Sequence, residues 1–285
     1  MPSENKKIII NGITLAYREY GSGDKVLLSA QNFFFEDCHM ALLGQPPYDY
    51  HVFLIYTRGY GDSEHIFQEI PDNYAKIWGE DVIAFAQAMG IERFYYSGVS
   101  HGNWAGWYIA FFRPELLRGF VCCDGIAQYR EPNRNAAPGY GRLPVDEIVG
   151  NREALAKMAW IERWPTENPG RLKRRKENQE AHLEILMNRK REEFFVMNND
   201  MSACGAASQE ELDDRLRKIP VPVMLINGGK DEAARPEAVL HTALLIPGAR
   251  MLLYQHLGHG GPDECPEMVA RDCHRFFLDS EGEIL

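Results

Sequence analysis

Three residues of this chain have the types and the order that nucleophilic catalysis needs: Ser100, Asp231 and His259. A serine hydroxyl is a poor nucleophile at neutral pH unless a base removes its proton. An imidazole does this best when a carboxylate fixes its tautomer and stabilises the imidazolium that forms. Ser100 lies in Gly98-Val99-Ser100-His101-Gly102, Asp231 closes Gly228-Gly229-Lys230-Asp231, and His259 stands between Gly258 and Gly260. A serine in such a glycine-flanked turn is held in strained dihedrals, so the residues two before and two after it must lack bulk, as Gly98 and Gly102 do. Two competitors remain. Asp124, which also ends an apolar run, is an alternative acid, and His256 is an alternative base that lacks the flanking glycines of His259.

The elements around these residues are legible from apolar patterning. Asn11-Gly12, between Ile8-Ile9-Ile10 and Ile13 to Tyr17, predicts an opening β-hairpin. Continuous apolar runs at Val26–Ser29, His51–Tyr56, Phe120–Asp124 and Val221–Asn227 read as buried parallel strands, with a further strand over Arg250–Tyr254. Helical spacing is expected from Asn73 to Met89 with Gly90 as its stop, after the serine turn to about Pro114, over Pro236 to Leu245, and from Pro266 to Phe277. Strands alternating with helices predict an α/β fold with a mostly parallel, doubly wound sheet. Ser100 then sits where an aromatic strand, Arg93 to Tyr96, gives way to a helix. There the helix N-terminus favours negative charge on a substrate oxygen.

Between about 127 and 216 the rhythm changes to a Gly/Pro-rich stretch and then charged helical segments, Arg171-Leu172-Lys173-Arg174-Arg175 among them. This predicts a helical cap, 127–216, inserted between two parts of an α/β core, 1–126 and 217–285. Its basic runs read as solvated helix faces.

Composition narrows the function. The 285 residues carry a formal net charge of −10, which disfavours nucleic acid and anionic membranes as partners. Ile8-Ile9-Ile10 is too short for a signal-peptide core or a membrane span, so a cytoplasmic location is expected. The six cysteines form no Cys-x-x-Cys pair and read as reduced thiols. His256 and His259 with Asp263, Glu264 and Cys265 could be drawn as a metal site, but the set is confined to one loop, and no metal is expected. No phosphate-cradling or dinucleotide motif is present, and no cofactor is expected. The oligomeric state, a homodimer included, stays open.

With these residues in view, the chain resembles the α/β-hydrolase superfamily over everything but the cap. Ser100 matches its nucleophile elbow, Asp231 its acid loop and His259 its histidine loop, and Arg58-Gly59-Tyr60-Gly61-Asp62-Ser63 is similar to a loop common in small-molecule members. The resemblance implies a Ser-His-Asp hydrolase acting on an ester, lactone or related acyl bond, with the backbone N–H groups of Asn32 and His101 as oxyanion donors. It departs from the family at Ala30-Gln31, where His-Gly is usual, and at Thr57, where Asp is common. Ser100-His101-Gly102 and Trp104 also occur in cofactor-free dioxygenases of the fold. That chemistry, C–C bond hydrolysis and a non-catalytic receptor are the alternatives. Phe33, Phe34, Trp104 and Trp164 are expected to line an apolar pocket for a hydrophobic small molecule, with Phe35, Tyr60, Trp107, Tyr129 and Trp160 as further candidates.

Overall fold

The computed structural model describes residues 4–65, 74–128, 145–158, 166–194 and 205–282. The chain opens with the expected hairpin, β1 (Lys6–Ile10) and β2 (Ile13–Tyr20), turning at Asn11 and Gly12, both with positive φ. Then come β3 (Lys25–Gln31), α1 (His39–Leu43), β4 (Tyr50–Tyr56), α2 (Tyr74–Ala88), β5 (Phe94–Val99), α3 (Asn103–Phe112) and β6 (Leu117–Cys123). The described residues before the next strand are helical: α4 (Val145–Ile148), α5 (Arg152–Met158), α6 (Pro169–Met187) and α7 (Gln209–Leu216). Strand β7 (Val223–Gly228), α8 (Pro236–Leu245), β8 (Arg250–Tyr254), α9 (Gly261–Glu264) and α10 (Pro266–Glu281) complete the chain.

The eight strands form one sheet in the order β1-β2-β4-β3-β5-β6-β7-β8. β2 runs antiparallel to both its neighbours, and every pair from β4 to β8 is parallel. Parallel strands need both faces covered. One face packs under α2, α3 and α8, with Trp78, Phe85, Trp107 and Val239 in its core. The other packs under α1 and α10, with Met40, Leu43, Val269 and Phe277. The sheet's carboxyl edge therefore gathers the ends of β5, β6, β7 and β8, where Ser100, Asp124, Asp231 and His259 follow.

Helices α4 to α6 share a small core of their own, in which Leu155, Leu183 and Leu186 meet Phe194. The helix over 209–216 behaves differently. Its Leu212 and Leu216 join the main core rather than this one, because α7 packs on α8. The basic run of α6 is not a solvated face either. Arg171 Nε donates to Glu264 at 2.6 Å, Arg175 approaches the same carboxylate at 3.3 Å, and Arg174 pairs with Asp37 and with Glu267 at 2.8 Å. Helix α6 is thereby tied to the two helices that follow His259. No helix among the described residues is long and apolar enough to cross a membrane.

Candidate active site

The turn after β5 holds Ser100 at φ +52°, a left-handed conformation that costs a residue with a side chain about 1–2 kcal/mol. The tightness of the elbow explains why Gly98 is glycine. A Cβ there would lie 2.5 Å from the carbonyl carbon and oxygen of Gly102, and backbone cannot give way. Ser100 begins a short 3-10 turn, Ser100–Gly102, that leads into α3. Asn103 braces the elbow from below, its amide donating to the carbonyls of Ser100 at 2.9 Å and Cys123 at 2.8 Å.

Asp231 and His259 arrive from two loops at the same edge. Asp231 Oδ2 lies 2.9 Å from His259 Nδ1, and His259 Nε2 lies 2.9 Å from Ser100 Oγ. A carboxylate only accepts, so Nδ1 carries the imidazole proton and Nε2 is left to accept from the serine hydroxyl. The other oxygen of Asp231 accepts the backbone N–H groups of Ala233 and Ala234, both at 2.8 Å, which pins the carboxylate. Burial works against an imidazolium at His259, but the hydrogen bond to Asp231 and the charges of Asp124, Asp231 and Asp263 outweigh it. The histidine's pKa is raised above its ordinary 6.5.

Asp124, the alternative acid, is brought to the same place. It follows β6 at φ +47°, is fully buried, and accepts N–H groups from Gly260 at 2.8 Å and Gly228 at 3.3 Å. Atoms of Asp124, Asp231 and His259 lie within 4.8 Å of one another. The His259 Nδ1 hydrogen bond goes to Asp231, while Asp124 braces the two loops. Burial pushes the Asp124 carboxyl well up, and Asp231 beside it adds to the rise. His256, the other histidine of the loop, is exposed, and Glu264 is spent on two arginines, so the loop set drawn as a metal site is not gathered.

The two amides expected as oxyanion donors fare differently. The His101 amide lies in the first turn of a helix and so has no intrahelical partner. The Asn32 amide is taken: it donates to the ring Nε2 of His101 at 3.3 Å. Burial and the neighbouring cations lower the His101 pKa to about 3, so this ring is a neutral acceptor at any ordinary pH. Gln31, where the sequence departs from His-Gly, shapes the strand end instead. Its side chain accepts the Val99 N–H at 2.7 Å and donates to the Phe33 carbonyl at 3.2 Å.

A cavity of about 180 Å³ opens at Ser100, lined by Gln31, Phe33, Phe35, Val99, His101, His182, His259, Gly260 and Asp263 as well. Phe33 lies there as expected, with its ring stacked on His182 of α6 at 4.7 Å. Phe34 does not. Successive side chains turn to opposite sides, so Phe33 and Phe35 meet edge-on at 5.5 Å while Phe34 turns away onto Tyr56 in the core. Trp104 is also a core residue, stacked on Trp78 at 5.5 Å, and Tyr60 and Trp107 are buried with it. Trp164, Trp160 and Tyr129 lie outside the described residues. His182 was not foreseen, since a histidine on a polar helix carries no sequence signal. Asp263 was visible only as a loop acid.

The sheet order, the elbow and the Ser100–His259–Asp231 arrangement define an α/β-hydrolase fold. Solved structures similar to this chain have the same fold. They include an enol-lactonase from Burkholderia xenovorans LB400 (TM-score 0.72, 19% identical, covering 96% of this chain and 100% of that one) and an epoxide hydrolase from Vigna radiata (TM-score 0.75, 18% identical, 98% of each). An esterase from Rhodococcus sp. ECU1013 is similar too (TM-score 0.72, 20% identical, 98% of this chain and 99% of that one). Among curated proteins, the chain is 24% identical over 199 residues to a protein provisionally named carbamate hydrolase RutD from Pseudomonas savastanoi pv. phaseolicola (strain 1448A / Race 6), covering 67% of this chain and 70% of the relative. No family model matches the chain.

Proposed function

We propose that this protein is a serine hydrolase that cleaves an ester, lactone or related acyl bond of a small molecule. The observation that carries the reading is the continuous relay from Asp231 through His259 to Ser100, with both contacts at 2.9 Å. Ser100 Oγ attacks the acyl carbon while His259 Nε2 takes its proton. The tetrahedral intermediate then collapses, and His259 gives that proton to the departing oxygen or nitrogen. Water, deprotonated by the same nitrogen, attacks the acyl-serine and releases the acid and Ser100. Asp231 holds the imidazole in register and stabilises its cation.

The first oxyanion donor is the His101 N–H, reinforced by the start of the helix. The Asn32 N–H becomes the second when the His101 ring releases it. Phe33 and Phe35 give the cavity apolar walls. An engineered cavity of about 150 Å³ accommodates benzene, so this site suits a group slightly larger than one aromatic ring. The similarity to named hydrolases, a lactonase and an esterase among them, agrees with this chemistry.

The test pairs turnover with labelling. A panel of short-chain p-nitrophenyl esters is offered to the wild type and to Ser100→Ala, and a fluorophosphonate label is mapped by mass spectrometry. Label on Ser100, with turnover abolished in the variant, is expected. A folded wild type that neither labels nor turns over would sink the acyl-enzyme reading.

A further inference from the structure

Two neighbouring acids after the catalytic histidine have opposite surroundings. Glu264, with its side chain wholly buried, meets Arg171 at 2.6 Å and Arg175 at 3.3 Å, so its charge is compensated. Asp263 lines the cavity at Ser100, and among the described residues its carboxylate has neither an ion pair nor a hydrogen bond. Its backbone, by contrast, is held firmly. The Asp263 N–H donates to Gly260 and its carbonyl accepts from Asn178 of α6 at 2.8 Å, so its backbone is held between the histidine loop and α6.

An uncompensated carboxylate in a small cavity is expensive unless a ligand completes it. Burial raises the Asp263 pKa to about 6, opposed only by the imidazoles of His39 and His259, and neither a lysine nor an arginine acts on it. Arg189, just after α6, acts on His101 instead. The other walls are mixed, because the imidazoles of His182 and His259 oppose a cation when they are protonated, as they do at His101. The faces of Phe33 and Phe35 attract positive charge, and a chain with a net charge of −10 favours encounter with cations.

We propose that Asp263 is a specificity residue that receives a compact ammonium group of the substrate, and that this group sits against Phe33 and Phe35 beside the reacting serine. The substrate is then a small acyl compound that joins an apolar body of about one ring to a primary or alkylated amine. This deepens the serine-hydrolase reading and rests on it for the reaction, but the recognition can be measured without turnover.

Benzylammonium and benzyl alcohol have nearly the same shape and differ in charge. Their binding to wild type, Ser100→Ala and Asp263→Asn can be compared by ligand-observed NMR titration at pH 7.5, with circular dichroism to verify folding. The wild type and Ser100→Ala are expected to prefer benzylammonium by about tenfold or more, the least that one charge-assisted hydrogen bond supplies. Asp263→Asn is expected to lose that preference. Equal binding of the two compounds by the wild type would overturn the proposal, as would a preference that survives in a folded Asp263→Asn. If the Asn variant does not fold, Asp263→Ser takes its place, and the wild-type comparison already decides. Failure of Ser100 to label with fluorophosphonate bears on the hydrolase reading alone.

Discussion

Replacing Asp263 with asparagine should make the protein more stable at neutral pH. In the folded state burial lifts this carboxyl from its ordinary 3.8 to about 6, while in the unfolded chain it stays near 3.8. Between those values the native state binds more protons than the unfolded one, so stability falls as pH rises through the window. By pH 7.5 the whole cost has been incurred, about 3 kcal/mol at roughly 1.4 kcal/mol per pH unit. Asparagine is nearly isosteric with the protonated acid and bears no such cost. The variant's advantage over wild type, measured by reversible urea unfolding, should therefore grow by about 2–3 kcal/mol between pH 4 and pH 7.5. Comparing variant with wild type cancels the other acids of the chain. An advantage that does not change with pH, or an Asp263→Asn less stable than wild type at pH 7.5, would refute the argument that this partly buried carboxylate has no partner.

Asp231→Asn should lower kcat by about 10⁴-fold, the loss that follows when a triad histidine loses its acid and takes the wrong tautomer. His259 is raised above 6.5 and must be neutral to act as a base, so kcat/KM should fall as pH drops through that raised value. In Asp231→Asn the acidic limb should move to lower pH, and a limb that stays put counts against the relay. Gly98→Ala drives a methyl to 2.5 Å from backbone and should cost more than 3 kcal/mol or prevent folding. Gly90→Ala, at φ +71° with open space around it, should cost only about 1–2 kcal/mol, so similar melting points for the two would be contrary to the elbow geometry. Glu264→Gln leaves two partly buried guanidinium groups without their shared charge and should cost about 3 kcal/mol. A change in unfolding free energy below 1 kcal/mol would mean that α6 does not depend on this contact.

Much of the arrangement was legible in the chain. Local signals carried it: Asn11-Gly12 sets a hairpin, apolar runs too short for helices set parallel strands, and Gly98 and Gly102 mark a tight turn, with Gly98 held to glycine by the backbone of Gly102. The order of Ser100, Asp231 and His259 followed, because residues at the carboxyl ends of parallel strands converge on one edge. The aromatic pocket was read less well. Phe33, Phe34 and Phe35 are identical in type, and nothing in the sequence says which side of the turn faces the cavity.

What the sequence alone determined is the order of the elements and the types of the candidate reacting groups, because both depend on short-range periodicity and on chemistry fixed within a few residues. Only the tertiary structure decided which partner each charged or polar group obtains. It gave His259 Nδ1 to Asp231 rather than Asp124, closed the Asn32 amide with the His101 ring, and spent Arg171 and Arg175 of α6 on Glu264. It also left Asp263 facing the cavity. Those outcomes depend on ångström distances between segments up to 159 positions apart, as between Ser100 and His259, and no local pattern encodes such distances.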